Sequence, residues 1–278
     1  MAHGTDILDV ANGLRARGEA FALATVVRTV AATAAKAGAK AVIRADGSIS
    51  AGWIGCGCAR GAVLKAAREA MADGQARLVS VQPMDVLADQ GLRPGDDRDG
   101  IKFARNMCPS HGTMDVFVEP VLPRPGVVVC GASPVAVAVA ELAARFGFAV
   151  TVAAPAEDQP RFAEADARIE GFDFPALPAS VRFAVVATQG RGDTAALRAA
   201  VLAVSGYVAF VGSHRKAAAL RADLAETGLG AEALARVRAP AGLDIGAVTP
   251  EEIALSIVAE MVEVRRRGQT VIGATRTA

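Results

Sequence analysis

The stretch GVVVCGASPVAVAVAELAARFGFAVTVAA, residues 126–154, decides the fold of the C-terminal half of the chain. Val127–Cys130 is an uninterrupted apolar run, typical of a strand that is buried on both faces. A predicted helix over Val135–Phe146 and a second predicted strand over Ala149–Ala153 follow it. A strand–helix–strand unit of this kind predicts a parallel sheet with helices on its faces.

The same alternation continues towards the C-terminus. Further strands are predicted over Phe183–Thr188 and Tyr207–Val211, and helices over His214–Thr227 and Pro250–Arg267. Residues 126–278 are therefore expected to form an α/β domain with a Rossmann-like, doubly wound parallel sheet.

The N-terminal half has a different pattern, and we expect residues 1–121 to form a separate α/β domain with a mixed sheet. The predicted elements are a helix over Asp6–Arg17, a strand over Phe21–Val30, a hairpin of Ala39–Arg44 and Ser48–Trp53 that turns at Asp46-Gly47, a helix over Cys58–Ala72, and strands over Ala76–Val81 and Thr113–Val121. The last of these is expected at the edge of the sheet, while Asp85–Pro109 lacks clear periodicity. The proline-rich segment VLPRPG, residues 121–126, is expected to be a stiff linker.

The composition is that of a globular protein without a strong electrostatic field. Apolar residues make up 52% of the chain, charged residues 21%, and the net charge is +1. No basic arm or stripe is present, so we expect no nucleic-acid binding. No apolar run reaches about 18 residues and the N-terminus lacks a signal-peptide pattern, so we expect no transmembrane segment and a cytoplasmic location. There, the four cysteines are expected to be reduced, ligating or redox-active.

The segment IGCGCARG, residues 54–61, is the sharpest local feature. Its glycines allow the backbone to approach a bulky group, and a helix that begins at Cys58 would place the thiol at a positive helix end. Both effects favour a thiolate, which suits a soft metal. The alternative is that Cys56 and Cys58 are small residues packed in a tight turn.

A second cysteine lies in NMCPSHG, residues 106–112. Pro109 and Gly112 favour an open loop around Cys108, although a surface loop with an incidental cysteine would have the same residues. By ligand type, Cys56, Cys58, Cys108 and His111 could hold zinc, but their spacing matches no common zinc finger.

The turn CGASPVA, residues 130–136, occupies the position of a dinucleotide fingerprint but matches it poorly. Gly131 is retained, whereas Ser133 replaces the second glycine. The strand that follows ends at Ala154, where an acidic residue would bind a ribose, and Glu157 or Asp158 could substitute. Tight NAD binding is therefore not expected. Cys130 closes a buried strand and is expected to be a packing residue.

Two later turns also follow predicted strands, where ligands of open α/β sheets bind. They are TQGRGD, residues 188–193, and GSHRK, residues 212–216. Their glycines permit close approach and their cations could meet a phosphate. Both are equally compatible with ordinary strand–helix loops.

The chain resembles the XdhC/CoxI family over nearly its whole length. The resemblance is carried by AFALATVVRTVAATAAKAGAKAVIRADGSISAGWIGCGC (residues 20–58), by YVAFVGSHRKAAAL (207–220) and above all by GLDIGAVTPEEIALSI (242–257). It implies a maturation factor, not an enzyme, that binds the molybdenum cofactor and delivers it to the apo large subunit of a hydroxylase such as xanthine or carbon monoxide dehydrogenase. The cargo would be molybdopterin or its cytosine dinucleotide, with a nucleotide site possible in the Rossmann-like domain. A homodimer, and contacts with a cysteine desulfurase and other accessory proteins, are expected on the same ground.

The resemblance also implies the site. Cys58 takes the place of the cysteine in the family's Gly-Gly-Gly-Cys turn and Cys108 that of a Cys-Gly-Gly turn, so both are expected at the metal. The residues expected to contact the cofactor are Cys56, Gly57, Cys58, Cys108, His111, Gly131, Ala132, Ser133, Thr188, Gly212, Ser213 and Lys216.

Several positions depart from the family pattern and suggest a divergent, CoxF-like branch. Cys56 replaces a glycine, Ser110 and His111 stand where glycines are usual, Ser133-Pro134 replaces Gly-His, and Ala154 replaces an acid. Two alternative functions stay open. One is an NAD(P)- or FAD-dependent oxidoreductase on the Rossmann-like half, and the other is a persulfide sulfur-transfer protein that uses Cys56 and Cys58.

Overall fold

The chain folds into two compact units, each with its own sheet and core. The computed structural model describes residues 6–55, 57–109, 111–174, 177, 178 and 180–270, except for the side chains of residues 58 and 268–270. The first unit is built mainly from the residues up to Pro123, and the second consists of Arg124–Gly268. Within the described ranges, none of the helices has both the length and the apolar character that crossing a membrane requires.

The first unit contains a seven-stranded mixed sheet with three helices. Its elements are α1 (Ile7–Ala16), β1 (Phe21–Val30), β2 (Lys40–Arg44), β3 (Ile49–Gly52), α2 (Gly57–Asp73), β4 (Arg77–Gln82), α3 (Met84–Asp89), β5 (Asp97–Arg98), β6 (Ile101–Arg105) and β7 (Thr113–Val121). The strand order is β3-β2-β1-β7-β4-β6-β5. The β4–β6 pair is parallel and the remaining pairs are antiparallel, which confirms the expected mixed sheet.

Local chemistry explains several boundaries in this unit. The Asp6 carboxylate accepts a hydrogen bond from the Leu8 amide and caps α1. The predicted hairpin is confirmed, since the Ser48 amide donates to Asp46 Oδ1 at 2.7 Å beside Gly47, which has a φ of +85°. The main core lies between α2 and one face of the sheet, while Leu14 of α1 packs against Phe21 on the other face.

Strand direction brings several loops to one edge of this sheet. β1, β3, β4 and β6 all end there, and β7 begins there. The connecting segments at this edge are residues 31–35, 53–55, 57–59, 106–109 and 111–112, which we call the cysteine edge.

Two sequence predictions for this unit were wrong. β7 is not an edge strand: it pairs with β1 on one side and with β4 on the other. Alternation shows which face of a strand is buried but not how many neighbours it has, and Pro120 lies beyond Val118, where the β4 ladder ends. The segment 85–109 is not irregular throughout, because it contains β5, β6 and most of α3.

The second unit contains a six-stranded parallel sheet. Its elements are β8 (Gly126–Cys130), α4 (Pro134–Arg145), β9 (Ala149–Ala154), a 3₁₀ helix (Ala156–Arg161), β10 (Ala167–Glu170), β11 (Val181–Val186), α5 (Asp193–Ala203), β12 (Tyr207–Phe210), α6 (His214–Glu226), α7 (Ala231–Ala235), β13 (Val237–Arg238) and α8 (Pro250–Thr270). One core lies between the sheet and α4 with α8, and a second lies between the opposite face and α5, α6 and α7. Helices on both faces confirm the doubly wound, Rossmann-like fold.

The strand order of this sheet is β10-β9-β8-β11-β12-β13. Counted from the first strand of the unit, this is the order 3-2-1-4-5-6 of dinucleotide-binding domains. The connections run in opposite directions from β8 and β11, so a crevice is expected where the carboxyl ends of these two strands meet.

Candidate functional site

The two cysteine-bearing segments of the first unit converge on one small cavity at the cysteine edge. Gly55 and Ala59, which flank Cys58 closely in sequence, line this cavity together with Cys108. The other lining residues are Thr33, Ala34, Ala35, Val81, Asn106, Gly112 and Met114. The cavity measures about 30 Å³, which is room for one or two water molecules. A larger group would therefore bind on the rim of this cavity and not inside it.

The start of α2 supplies one wall of the site. The helix begins at Gly57, one residue before the predicted start, so Cys58 lies in its first turn. Gly57 is exposed, and the space that a Cβ would occupy there is open. First-turn amides lack partners within a helix, so this end favours an anion or a thiolate. Cys56 and the side chain of Cys58 lie outside the described residues.

The loop that carries Cys108 is held in shape by Asn106. The Asn106 carboxamide oxygen accepts a hydrogen bond from the Cys108 amide at 2.9 Å, and its nitrogen donates to the Gly112 carbonyl at 2.6 Å. A Cβ at Gly112 would lie 2.2 Å from the Ala32 carbonyl oxygen, so only glycine fits where this loop crosses segment 31–35. Cys108 is half-buried, and His111 is exposed with a φ of +48°. The loop is thus pre-organised around the cysteine.

Sequence reasoning missed the role of Asn106. The available signal was its position two residues before the cysteine, where an asparagine side chain commonly bonds to the backbone. Among the residues that the structure describes, no group of three or more His, Cys, Asp or Glu side chains is arranged to hold a metal ion. The zinc hypothesis stays untested, because it also needs Cys56 and the Cys58 thiol.

The second unit has a crevice at the switch point between β8 and β11. It measures about 160 Å³ and is lined by Gly131, Ala132, Ser133, Pro134, Pro155, Asp158, Arg161, Phe172, Thr188, Gln189 and Arg191. Four loops meet here, after β8, β9, β10 and β11. The structure thus brings Gly131, Ala132, Ser133 and Thr188 together, as the sequence predicts for a common site.

The turn after β8 is shaped by packing within the protein. Gly131 has a φ of +99°, and a Cβ there would lie 2.7 Å from the Thr188 Cα, so glycine lets the two loops touch. The Gly131 amide donates to the Ala153 carbonyl at 2.8 Å. Ser133 caps α4, since its hydroxyl accepts from the Ala136 amide. This turn therefore uses several of its polar groups to hold its own structure.

Charged side chains form the opposite wall of the crevice. Asp158 follows β9 and its side chain is 14% exposed, while Arg161 and Arg191 are 46% and 66% exposed. Arg191 Nη1 lies 3.1 Å from Asp158 Oδ2, and Arg161 Nη1 lies 3.8 Å from Asp158 Oδ1. Arg161 also donates to the Ala132 carbonyl of the opposite turn. One carboxylate thus holds two guanidinium groups at the crevice.

The predicted ligand groups Thr188 and Lys216 are tied to Asp193, the first residue of α5. The Thr188 hydroxyl donates to this carboxylate, the Gly190 amide donates at 3.0 Å, and Lys216 Nζ lies 2.5 Å away. Burial by itself would raise the pKa of Asp193, but Lys216 and the other donors outweigh it and hold the pKa below its ordinary value. Asp193 was not singled out from the sequence, because it stands in no recognised motif.

The third turn follows β12 and lies outside the residues that line the crevice. Gly212 and Ser213 connect β12 to α6, and the Ser213 hydroxyl accepts from the Lys216 amide as a helix cap. Cys130, at the end of β8, is fully buried, and burial raises the pKa of its thiol to about 12. Its predicted packing role is confirmed.

The stretch 242–257 forms the loop before α8 and the first turns of that helix. The buried Glu260 carboxylate accepts from the Tyr207 hydroxyl at 2.6 Å, from Arg238 at 2.6 Å and from the Gly242 amide at 3.0 Å. Burial and the neighbouring carboxylate raise the pKa of Tyr207, so its hydroxyl acts as a donor. This network fixes the loop to α8 and β12.

Two family models match the chain. The model of the XdhC and CoxI family matches residues 14–82, and the model of the XdhC Rossmann domain matches residues 127–261. A crystal structure described as a xanthine dehydrogenase from Bacillus halodurans aligns with 95% of this chain and 96% of its own, with 18% identity and a TM-score of 0.46.

Two curated proteins are similar to this chain in sequence. The uncharacterized protein YqeB of Escherichia coli K12 is 30% identical over 253 residues, 88% of this chain and 43% of that protein. A probable xanthine dehydrogenase subunit from Bacillus subtilis is 32% identical over 165 residues, 56% of this chain and 47% of that protein. The chain spans about half the length of these curated relatives. Since one family accounts for both halves, the chain belongs to the XdhC/CoxI family.

Proposed function

We propose that this protein is an accessory factor of molybdenum hydroxylases. It binds the molybdenum cofactor, protects it and delivers it to an apoenzyme, without turnover of its own. Membership of the XdhC/CoxI family supports this proposal. So does the relative named as a probable xanthine dehydrogenase subunit, which makes the large subunit of such an enzyme our candidate client.

The observation that carries the proposal is the convergence at the cysteine edge. Gly55 and Ala59, on either side of Cys58 in sequence, and Cys108 line a single cavity. Cysteines carried by two different segments of one site suit a soft metal bound to sulfur. The cavity is too small for a pterin, but the exposed backbone at Gly57 allows a bulky group to approach the rim. The metal end of the cofactor would be held there by Cys58 and Cys108, with His111 beside it.

The proposal also names a cargo and several partners. The cargo is molybdopterin or its cytosine dinucleotide. A CoxF-like branch, a homodimer and transient contacts with a cysteine desulfurase complete the hypothesis. Light scattering after size exclusion tests the dimer, and a mass of one chain would exclude it.

The proposal is tested by the content of the freshly purified protein. We would purify it under nitrogen from a host that makes the cofactor, and measure molybdenum and zinc by elemental analysis and pterin and nucleotide by chromatography. Molybdenum and pterin in equal amounts are expected, and released cytidine monophosphate would identify the dinucleotide form. Protein that carries neither, from extracts that contain the cofactor, would contradict the proposal.

The strand order of the second sheet favours a second candidate, a nicotinamide- or flavin-dependent oxidoreductase. Against it, β9 ends in the buried Ala154, and the nearby Asp158 carboxylate already contacts two arginines. Titration of the protein with NAD(H), NADP(H) and FAD decides between an accessory factor and an oxidoreductase, since only the oxidoreductase must bind one of these cofactors with micromolar affinity.

A persulfide relay through Cys56 and Cys58 is a third hypothesis. Unlike a cofactor carrier, it requires a covalent intermediate in which one cysteine holds an extra sulfur. Mass spectrometry after incubation with a cysteine desulfurase and cysteine would show one added sulfur atom. An unchanged mass would count against the relay.

A further inference from the structure

We infer that the crevice between β8 and β11 binds a phosphate ester through Arg161 and Arg191 and not through the amides of a glycine-rich turn. The inference deepens the proposed function, on which its biological meaning rests, because it assigns residues to the anionic end of the cargo. It also accounts for the poor match of residues 130–136 to a dinucleotide fingerprint.

The turn after β8 has few backbone amides left for a phosphate. In a dinucleotide fingerprint, amides at this turn and at the start of the helix receive the pyrophosphate. Here the Gly131 amide donates to the Ala153 carbonyl, and the Ala136 amide donates to the Ser133 hydroxyl. Pro134, between them, has no N–H group to offer. The turn therefore offers a phosphate fewer donors than the fingerprint supplies.

Two arginines on the opposite wall of the crevice can supply donors to a phosphate. Both guanidinium groups line the crevice, Arg161 from the 3₁₀ helix after β9 and Arg191 from the loop after β11. A guanidinium has five N–H donors in a planar fork that matches phosphate oxygens, and the contacts described above involve only part of that fork. The crevice provides these donors from two sides.

Asp158 forms ion pairs with both arginines and orients their guanidinium groups. Its carboxylate is largely buried and lies within 3.8 Å of both guanidinium groups. Because one carboxylate faces two cations, the lining of the crevice keeps an excess of positive charge. Glu157 also lies 3.8 Å from Arg191, but it is 71% exposed and its effect is screened by solvent.

The same contacts argue against recognition of a ribose. In dinucleotide-binding domains, an acid after the second strand accepts the ribose hydroxyls. Asp158 follows the equivalent strand, β9, but its charge is paired with Arg161 and Arg191, although its Oδ2 atom accepts no hydrogen bond from any described residue. The crevice of about 160 Å³ is roughly ten times the space that one water needs, which suits one or two phosphate groups. We therefore assign the site to phosphate and not to a nicotinamide dinucleotide.

The test is isothermal titration of the full-length protein with inorganic pyrophosphate, cytidine diphosphate, cytidine and NAD. We expect pyrophosphate and cytidine diphosphate to bind and cytidine, which has no phosphate, to bind at least about tenfold more weakly; NAD should also bind more weakly, because its pyrophosphate is a diester with fewer negative charges. The variant Arg161→Gln/Arg191→Gln should weaken pyrophosphate binding about tenfold or more, because it removes two charge-assisted donors. Arg182→Gln, at the exposed opposite end of β11, is the matched control and should bind like wild type.

Titration with pyrophosphate and with cytidine diphosphate distinguishes molybdopterin from its cytosine dinucleotide as the source of the phosphate. Equal affinities would assign the site to phosphate groups alone, as in molybdopterin, whereas much tighter binding of cytidine diphosphate would assign it to the nucleotide end. No pyrophosphate binding, or binding that the double variant leaves unchanged, would overturn the inference. The titration uses no molybdenum, so an empty cysteine edge and an intact phosphate site would be distinguishable results.

Discussion

Cys130 shows how strongly burial changes the chemistry of a cysteine in this protein. Its side chain is fully enclosed at the end of β8, and burial raises the pKa of its thiol to about 12. At pH 8 only about one molecule in ten thousand would carry the reactive thiolate. We expect iodoacetamide to leave Cys130 unmodified in the native protein and to modify it after denaturation in urea. Rapid native labelling, seen by peptide mass spectrometry, would show that the strand end opens.

Asp193 organises the loops beside the crevice through Thr188, Gly190 and Lys216. We expect Asp193→Asn to lower the free energy of unfolding by roughly 1–3 kcal/mol, because the network loses its negative charge and the oxygen that pairs with Lys216, and gains an NH2 donor in its place. Urea unfolding at pH 7 would measure the loss, with the exposed Asp223→Asn of α6 as control. An equal loss of unfolding free energy in Asp193→Asn and Asp223→Asn would contradict a stabilising role for the Asp193 network.

The pH dependence of this contribution follows from the direction of the shift. The pKa of Asp193 is lower in the folded protein than its ordinary value of 3.8, so the folded state prefers the ionised group. Its stabilisation is complete above that value and is lost as the pH falls through the folded-state pKa. The difference between wild type and Asp193→Asn should therefore shrink when unfolding is measured near pH 3 instead of pH 7.

At the scale of single elements, the loop of residues 106–112 depends on one side chain. Asn106→Ala removes the hydrogen bonds to the Cys108 amide and the Gly112 carbonyl. We expect faster amide hydrogen exchange at Cys108 and lower metal retention, with a loss of global stability of about 1–2 kcal/mol. Exchange at Cys108 that stays as slow as in wild type would show that the loop is held by other contacts.

The helix α8 is anchored by Glu260. Glu260→Ala leaves the Tyr207 hydroxyl and the Gly242 amide without their acceptor, so we expect a loss of roughly 3 kcal/mol in unfolding free energy. Glu251→Ala, at an exposed position in the first turn of the same helix, serves as control. Urea titration measures both variants, and similar midpoints would contradict a structural role for the network.

Periodicity predicted most of the long elements, because each has one face packed on a core, but it missed the 11-residue helix α5. β1 and the Asp46-Gly47 hairpin have the expected positions, and α2 starts within one residue of the prediction. The central position of β7 was not predictable, since it depends on pairing with β4, a contact between distant parts of the chain. β5 has only two residues, and β6 was missed although it is as long as β2 and β8.

The candidate site was predictable in its parts but not as a whole. The segments around Cys58 and Cys108 were identified separately, from their glycine and cysteine content. Their convergence follows from packing in the middle of the sheet, because α2 lies against the central strands β1, β7 and β4 and residues 111–112 lead directly into β7. Asn106 and Asp193 lie in the quoted segments 106–112 and 188–193, but their roles were not predicted; for Asn106 the signal was its position two residues before Cys108, whereas the role of Asp193 depends on Lys216, which is distant in sequence.

At the scale of the whole molecule, each unit presents one chemically distinct region. The first has the cysteine edge, which suits a soft metal, and the second has a crevice with two arginines, which suits a phosphate. A metal–dithiolene group with a phosphate tail has both kinds of chemistry. The central claim is that Cys58 and Cys108 together hold the metal end.

The most direct test is molybdenum retention by Cys58→Ala, Cys108→Ser and the double variant, with Cys130→Ala as a control in the second unit. Each protein is loaded in the same host, passed through gel filtration and analysed for molybdenum and pterin, with circular dichroism to confirm folding. We predict that wild type and Cys130→Ala retain the cofactor and that each variant at the cysteine edge loses it by on the order of tenfold or more. Folded Cys58→Ala and Cys108→Ser proteins that retain as much molybdenum as wild type would contradict the account.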